Sequence, residues 1–120
     1  MEKIKVGVVG TGRLGSFHSK VYSRLQKHVK FVGVCDCNIE RALEVGKKYH
    51  TASYSDYEDL FDKVDAVSIA VPTSLHYNIA KDFLNHNIHV LIEKPITKTL
   101  SEADELIEMA IVIKDLNLII

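Results

Sequence analysis

Residues 3–15, KIKVGVVGTGRLG, decide the fold. Ile4, Val6, Val8 and Val9 form a short β-branched run of the kind that makes a strand buried on both faces. Gly10, Gly12 and Gly15 follow it at the spacing G-x-G-x-x-G. A helical pattern begins directly after, so the stretch reads as strand, tight turn and helix. In such a unit the first glycine permits the turn, the second leaves the backbone open to a pyrophosphate, and the third lets the helix sit close to the strand. Free N–H groups at the helix start, aided by the helix dipole, then favour a negatively charged ligand. The glycine spacing alone also fits a turn without a ligand. Asp36 separates the two readings. It closes a second apolar run, residues 30–35 (KFVGVC), and stands 21 residues past Gly15, about the offset at which a carboxylate meets an adenosine ribose.

Outward from this unit the chain keeps alternating, with no linker, repeat or low-complexity tract. A helix is expected over 13–26, with Leu14, Phe17, Val21 and Leu25 as one apolar face against the sheet. A strand over 31–36 follows. Asn38 then caps a helix over 39–49 that buries Ala42, Leu43 and Val45 and leaves Glu40, Arg41, Glu44, Lys47 and Lys48 in water. A short strand is expected over 52–54, and a short helix capped by Ser55 or Asp56 runs through Phe61. The next strand, 65–71, is stopped by Pro72. A helix from Thr73 or Ser74 to 85, a strand over 88–92, a helix to 114 opened by the capping-box-like Ser101 and Asp104, and a strand over 116–120 complete the chain. Alternation of this kind predicts an α/β fold, a doubly wound parallel sheet with right-handed crossovers in three layers, α/β/α. In such a sheet ligands bind beyond the carboxyl ends of the strands, where the strand order switches. The strand ends here carry the glycine turn, Asp36, the run Val71-Pro72-Thr73-Ser74-Leu75-His76, and Glu93-Lys94-Pro95.

Composition bounds the function. The 120 residues are enough for one domain that buries about two-thirds of its unfolded surface without staples. The net charge is −1, with 26% charged residues of both signs interspersed, which argues against a nucleic-acid or acidic-membrane partner. Cys35 and Cys37 are the only cysteines. Their spacing suits neither a disulfide nor a zinc site, so they read as reduced core or near-core thiols of a cytoplasmic protein. His18, His28, His50, His86 and His89 have no metal-ligand spacing and read as surface or helix-packing residues, with no metal implied. The N-terminus is too short and glycine-punctuated for a signal peptide, and no apolar run approaches membrane-spanning length.

V-x-G-T-G-R-L-G at the start, C-D-x-N-x-E-R-A over 35–42, A-V-P-T-S-L-H over 70–76 and E-K-P over 93–95 together resemble the N-terminal Rossmann domain of the Gfo/Idh/MocA oxidoreductases. The match runs over essentially the whole chain. Within the family, G-R-L-G-x-x-H-x-x-x-Y and V-P-T-S-L-H-Y are similar to a subgroup of UDP-N-acetylglucosamine 3-dehydrogenases. The resemblance implies that the glycine turn, Gly10 to Gly15, holds the pyrophosphate through backbone groups of Thr11, Arg13 and Leu14, and that Asp36 accepts the ribose diol. A carboxylate there repels a 2′-phosphate, favouring NAD over NADP. Arg41 either bends back toward the adenosine or stands as a solvated helix charge. Pro72, Thr73 and His76 would lie beside the nicotinamide, where the alternative for His76 is a polar residue in a first helical turn, and Glu93 would face the cofactor. Lys94 would be the catalytic residue, a cation against the alcohol oxygen whose negative charge grows as hydride leaves carbon.

Family members carry a second domain with the substrate-binding surface, so the chain is expected to be a shortened dinucleotide-binding domain over 1–120. It would bind cofactor without turning over sugar by itself. In full-length form the expected activity is hydride transfer between a nicotinamide cofactor and a hydroxyl of a sugar or nucleotide-sugar, in a homo-oligomer. A non-catalytic dinucleotide-binding module and glycosidase-like chemistry without net redox are the alternatives.

Overall fold

Short β-branched runs separated by amphipathic segments leave the chain one way to bury both kinds of element, which is to pair the strands in parallel and lay the helices across them. The computed structural model describes residues 3–93, 96–112 and 118–119. In order, these form β1 (Ile4–Val9), α1 (Arg13–Arg24), β2 (Val29–Cys35), α2 (Ile39–Lys48), β3 (Ala52–Tyr54), a 3-10 turn (Tyr57–Leu60), β4 (Ala66–Ile69), a second 3-10 turn (Thr73–Leu75), α3 (His76–Asn85), β5 (His89–Ile92), α4 (Leu100–Val112) and β6 (Leu118–Ile119). All the strand pairings are parallel, in the order β3-β2-β1-β4-β5-β6. The order reverses between β1 and β4, which puts the crevice expected of a doubly wound sheet at their carboxyl ends. None of the described helices is long and apolar enough to cross a membrane.

The register assigns side chains to faces. Val9, Ile69 and Ile92 stand side by side and join Val67 and Val90 under Leu60, Phe83, Leu84, Ile88 and Leu106. Phe83 is fully buried there, and truncating such a ring costs about 3–5 kcal/mol. On the opposite face Val8 and Val34 pack with Ala42 and Val45 of α2, edged by Tyr22, Phe31 and Tyr49.

The apolar stripe expected to seat α1 does not face the sheet. Leu14, Phe17, Val21 and Leu25 are all exposed, Phe17 by 60%, while the buried positions are Gly15 and Ser19. Close approach sets the roll of this helix. A β-carbon on Gly15 would stand 1.8 Å from the Gly10 carbonyl oxygen, so Gly15 must point at the turn. At about 100° per residue the four apolar residues then fall on a flank of the helix. Polar contacts complete the seat. Ser19 Oγ donates to the Gly15 carbonyl at 2.9 Å, and the Tyr22 hydroxyl meets Ser68 Oγ of β4 at 2.6 Å.

Three local expectations shift as well. Leu43 is exposed and Gly46 takes the buried place in α2, because a side chain at 46 would strike Ser53. Thr99, not Ser101, caps α4. Its Oγ1 accepts the Glu102 N–H at 3.2 Å, so the S/T-x-x-E box begins two residues earlier. Cys37 lies past the end of β2 and is exposed, so only Cys35 is a core thiol. Burial and the neighbouring carboxylates Asp56, Asp36 and Asp59 push Cys35 up to about 12. Of the two residues considered, Asp56 caps the short helix, accepting the Glu58 N–H at 2.9 Å, and the helix is 3-10. The expected strand over 116–120 is described only at Leu118–Ile119.

Candidate functional site at the carboxyl edge

The glycine turn carries three different constraints. Gly10 has φ +106°, and a β-carbon on it would stand 2.2 Å from the Ala70 carbonyl oxygen. The turn thus abuts the exit of β4 and admits no side chain. Its N–H donates to the Cys35 carbonyl at 2.7 Å, fastening it also to β2. Gly15 is excluded from having a side chain by Gly10 itself. At Gly12, by contrast, a β-carbon would meet nothing within 4 Å, and the backbone (φ −73°, ψ −159°) suits any residue. Nothing within the described protein requires glycine there. What the missing side chain leaves is an open approach to the start of α1.

That helix start is electropositive by construction. Gly12 is its N-cap and no side chain caps it; the first turn holds no acidic residue and includes Arg13. The initial N–H groups, which have no partner within a helix, are left to an external acceptor. Arg13 and Leu14 are exposed, and with Ser16, Phe17, Lys20 and Tyr49 they line a concavity of about 420 Å³.

Asp36 follows β2 and is nearly buried, 7% exposed. Its Oδ2 accepts from the Thr11 N–H at 2.9 Å, the Thr11 hydroxyl at 2.6 Å and Arg41 Nη2 at 3.1 Å. Its Oδ1 accepts the Asn38 N–H at 2.9 Å. Burial pushes this carboxyl up, but the Thr11 hydroxyl, the Asn38 and Thr11 N–H groups and then the Arg41 guanidinium outweigh it and hold it down at about 2. The α2 cap determines where Arg41 sits, since Asn38 Oδ1 accepts the Arg41 N–H at 3.3 Å. The reading of Arg41 as a free helix charge thus gives way to an ion pair with Asp36.

At the exit of β4, Pro72 is exposed and Thr73 half-buried, and Leu75 N–H donates to the Pro72 carbonyl at 2.9 Å to close the 3-10 turn. His76 is turned inward. It is 3% exposed, with Nε2 2.8 Å from the Val71 carbonyl oxygen and Nδ1 3.1 Å from that of Ile96. A neutral ring donates through one of these nitrogens at a time. Either way the ring joins the β4 exit to the segment after β5. Glu93 follows β5 with its side chain half exposed, and Oε1 lies 3.5 Å from His18 Nε2 of α1. Lys94 and Pro95 lie outside the described residues.

The sequence reading leaves His18 among surface or helix-packing residues, although it stands in the G-R-L-G-x-x-H-x-x-x-Y run. Only the strand order, which sets β5 on that flank of α1, brings it to Glu93. The structure therefore gathers Thr11, Gly12, the start of α1, Asp36 and Arg41 around one end of the crevice, and Pro72, Thr73, His18 and Glu93 near the other.

A family model described as "Oxidoreductase family, NAD-binding Rossmann fold" matches residues 4–114. Among curated proteins, UDP-N-acetylglucosamine 3-dehydrogenase of Acidithiobacillus ferrooxidans is 41% identical over 110 residues, covering 92% of this chain and 34% of that protein. Its solved structure superposes with a TM-score of 0.87 at 40% identity, over 93% of this chain and 36% of that one. Scyllo-inositol dehydrogenase of Lactobacillus casei, solved with bound NAD(H) and scyllo-inositol, gives a TM-score of 0.88 at 25% identity, over 98% and 35% of the two chains. The chain spans about a third of the length of these relatives.

Proposed function

The chain belongs to the Gfo/Idh/MocA oxidoreductase family and comprises its NAD-binding Rossmann domain, and from that premise we propose that it binds NAD across the carboxyl edge of the sheet. The pyrophosphate meets the backbone N–H groups at Arg13 and Leu14, with Gly12 in place of the expected Thr11, whose N–H is taken by Asp36 Oδ2 at 2.9 Å; the adenosine ribose meets Asp36, and the nicotinamide end reaches the side of Pro72, Thr73 and Glu93. The observation that carries this reading is the empty approach at Gly12, beside an uncapped helix start and a carboxylate already ionised. Bound NAD supplies a hydride acceptor. The chain's own residues would hold and orient it, and Lys94, the residue after Glu93 in the sequence, is the candidate for stabilising the negative charge that develops on the reacting alcohol oxygen. In a protein of the relatives' length, the substrate is a hydroxyl of a sugar or nucleotide sugar, the class to which the relatives named above point.

The test is calorimetric titration of the purified chain with NAD⁺ and NADH, alongside Gly12→Ala. A glycine-to-alanine change at an N-cap with free space costs a few tenths of a kcal/mol in stability, so the variant should melt like the unmodified chain yet bind NAD at least tenfold more weakly. Equal binding by the two proteins, or none by the unmodified chain, would defeat the proposal.

A further inference from the structure

Averaged over the chain the charges nearly cancel, but their placement is uneven. Residues 3–35 hold seven of the 15 basic residues and none of the 16 acidic ones. Within that run lies α1, whose roll leaves Leu14, Phe17, Val21 and Leu25 in solvent. At about 100° per residue, Lys20, Arg13 and Arg24 fall together along one edge of this apolar strip, and all three are exposed. The strip borders the concavity that Leu14, Phe17 and Tyr49 line with Arg13, Ser16 and Lys20. The opposite character belongs to α4, which carries Glu102, Asp104, Glu105 and Glu108 and no basic residue. Its Leu106 is buried. The side turned to solvent holds Leu100, 84% exposed, and Ile107 beside Asp104 and Glu108. Each helix thus presents an apolar strip edged by one sign of charge, and the two signs are complementary.

Contiguous exposed apolar residues rimmed by charge mark an interaction surface. Within one chain the two strips cannot meet, because Tyr22 of α1 packs on the Val8–Val34 face of the sheet and Leu106 of α4 on the Val9–Ile69 face. We propose that copies of this chain associate head to tail, the α1 strip of one receiving α4 of the next. Leu100 and Ile107 pack against Leu14, Phe17 and Val21, while Asp104 and Glu108 meet Lys20 and Arg24. The contact is heterologous, so each assembly keeps a free α1 at one end and a free α4 at the other. Association therefore continues past the dimer as concentration rises, to a ring or an open chain. The charged edges speed encounter and are screened by salt. None of this depends on the reading of the crevice as a dinucleotide site.

The test is analytical ultracentrifugation at low and high salt, with a melting curve for each protein. The unmodified chain should associate reversibly beyond a dimer at concentrations up to about 1 mM, and more weakly at high salt. Lys20→Glu with Arg24→Glu, and separately Asp104→Lys with Glu108→Lys, should each weaken association at least tenfold. The chain carrying all four substitutions keeps the original net charge and should regain association through the exchanged signs. Phe17→Ser should weaken it severalfold. Lys30→Glu with Lys47→Glu, an equal change of charge outside both strips, should leave it as it was. A chain that stays monomeric up to about 1 mM overturns the inference, as does association that the α1 and α4 reversals leave unchanged, that the Lys30 and Lys47 pair weakens equally, or that the folded fourfold variant does not regain. A monomer that instead cosediments with phosphatidylglycerol vesicles also overturns it, by assigning α1 to a lipid surface.

Discussion

At the β1–β2 side of the sheet's carboxyl edge, polar groups are arranged around a space; at the β4–β5 side, they are arranged around each other. On the first side Gly12 leaves an open approach, the start of α1 is uncapped, and Asp36 is held ionised by Thr11, Asn38 and Arg41. On the second, His76 spends its ring on two backbone carbonyls and Glu93 is engaged by His18. The difference teaches how the labour is divided. The β1–β2 side is pre-organised within one βαβ unit, where a few residues of chain supply turn, helix start and carboxylate together. The other end depends on loops whose own hydrogen bonds first have to hold β4, β5 and α1 in place.

The sharpest way to break this contrast is Gly10→Ala. A β-carbon 2.2 Å from the Ala70 carbonyl oxygen at φ +106° should cost more than about 4 kcal/mol, a large share of a small domain's stability, so circular dichroism should show a largely unfolded chain. A folded variant would mean that the turn does not lock β1 to β4.

Asp36→Ala should cost about 2–3 kcal/mol by leaving the N–H groups of Thr11 and Asn38 without their acceptor. It also has a pH signature. Because the folded carboxyl is held at about 2, below its ordinary 3.8, its contribution is complete above about pH 4 and fades as pH falls toward 2. Unfolding by urea across that interval should show the unmodified chain losing about 2 kcal/mol that the variant never had.

His76→Ala is expected to cost about 1–3 kcal/mol through the lost ring and its hydrogen bonds, with NAD affinity changed less than threefold. A tenfold loss of affinity in a folded variant would move His76 to the ligand side and erase the contrast. Phe17→Ser should be the mildest, below about 0.5 kcal/mol in a urea melt, since the ring it removes is 60% exposed; a loss above 2 kcal/mol would return the stripe of α1 to the core.

Much of this architecture was legible beforehand because its signals are local. The G-x-G-x-x-G spacing, the β-branched runs and Asn38 each act through neighbours a few residues away, and the elements they announce form where expected. Three outcomes were not legible in that way. The roll of α1 follows from the contact of Gly15 with Gly10, which overrides the apolar periodicity of Leu14, Phe17, Val21 and Leu25. The cap of α4 is Thr99 because its hydroxyl, rather than that of Ser101, meets the Glu102 N–H. The partners of His18 and of His76 Nδ1 come from segments 20 and more residues distant.

The amino-acid sequence by itself determined the succession of elements, the parallel sheet and the identity of the turn and carboxylate at the β1–β2 side, because backbone preference and side-chain alternation are set along the chain. Only the tertiary structure decided which face of α1 meets the sheet, that Arg41 closes over Asp36, and that His76 turns inward. The contacts behind them, Gly15 against Gly10, Arg41 on Asp36 and His76 on Ile96, are distances in space that no periodicity along the chain encodes, and they are set only once β1, β2, β4 and β5 lie side by side.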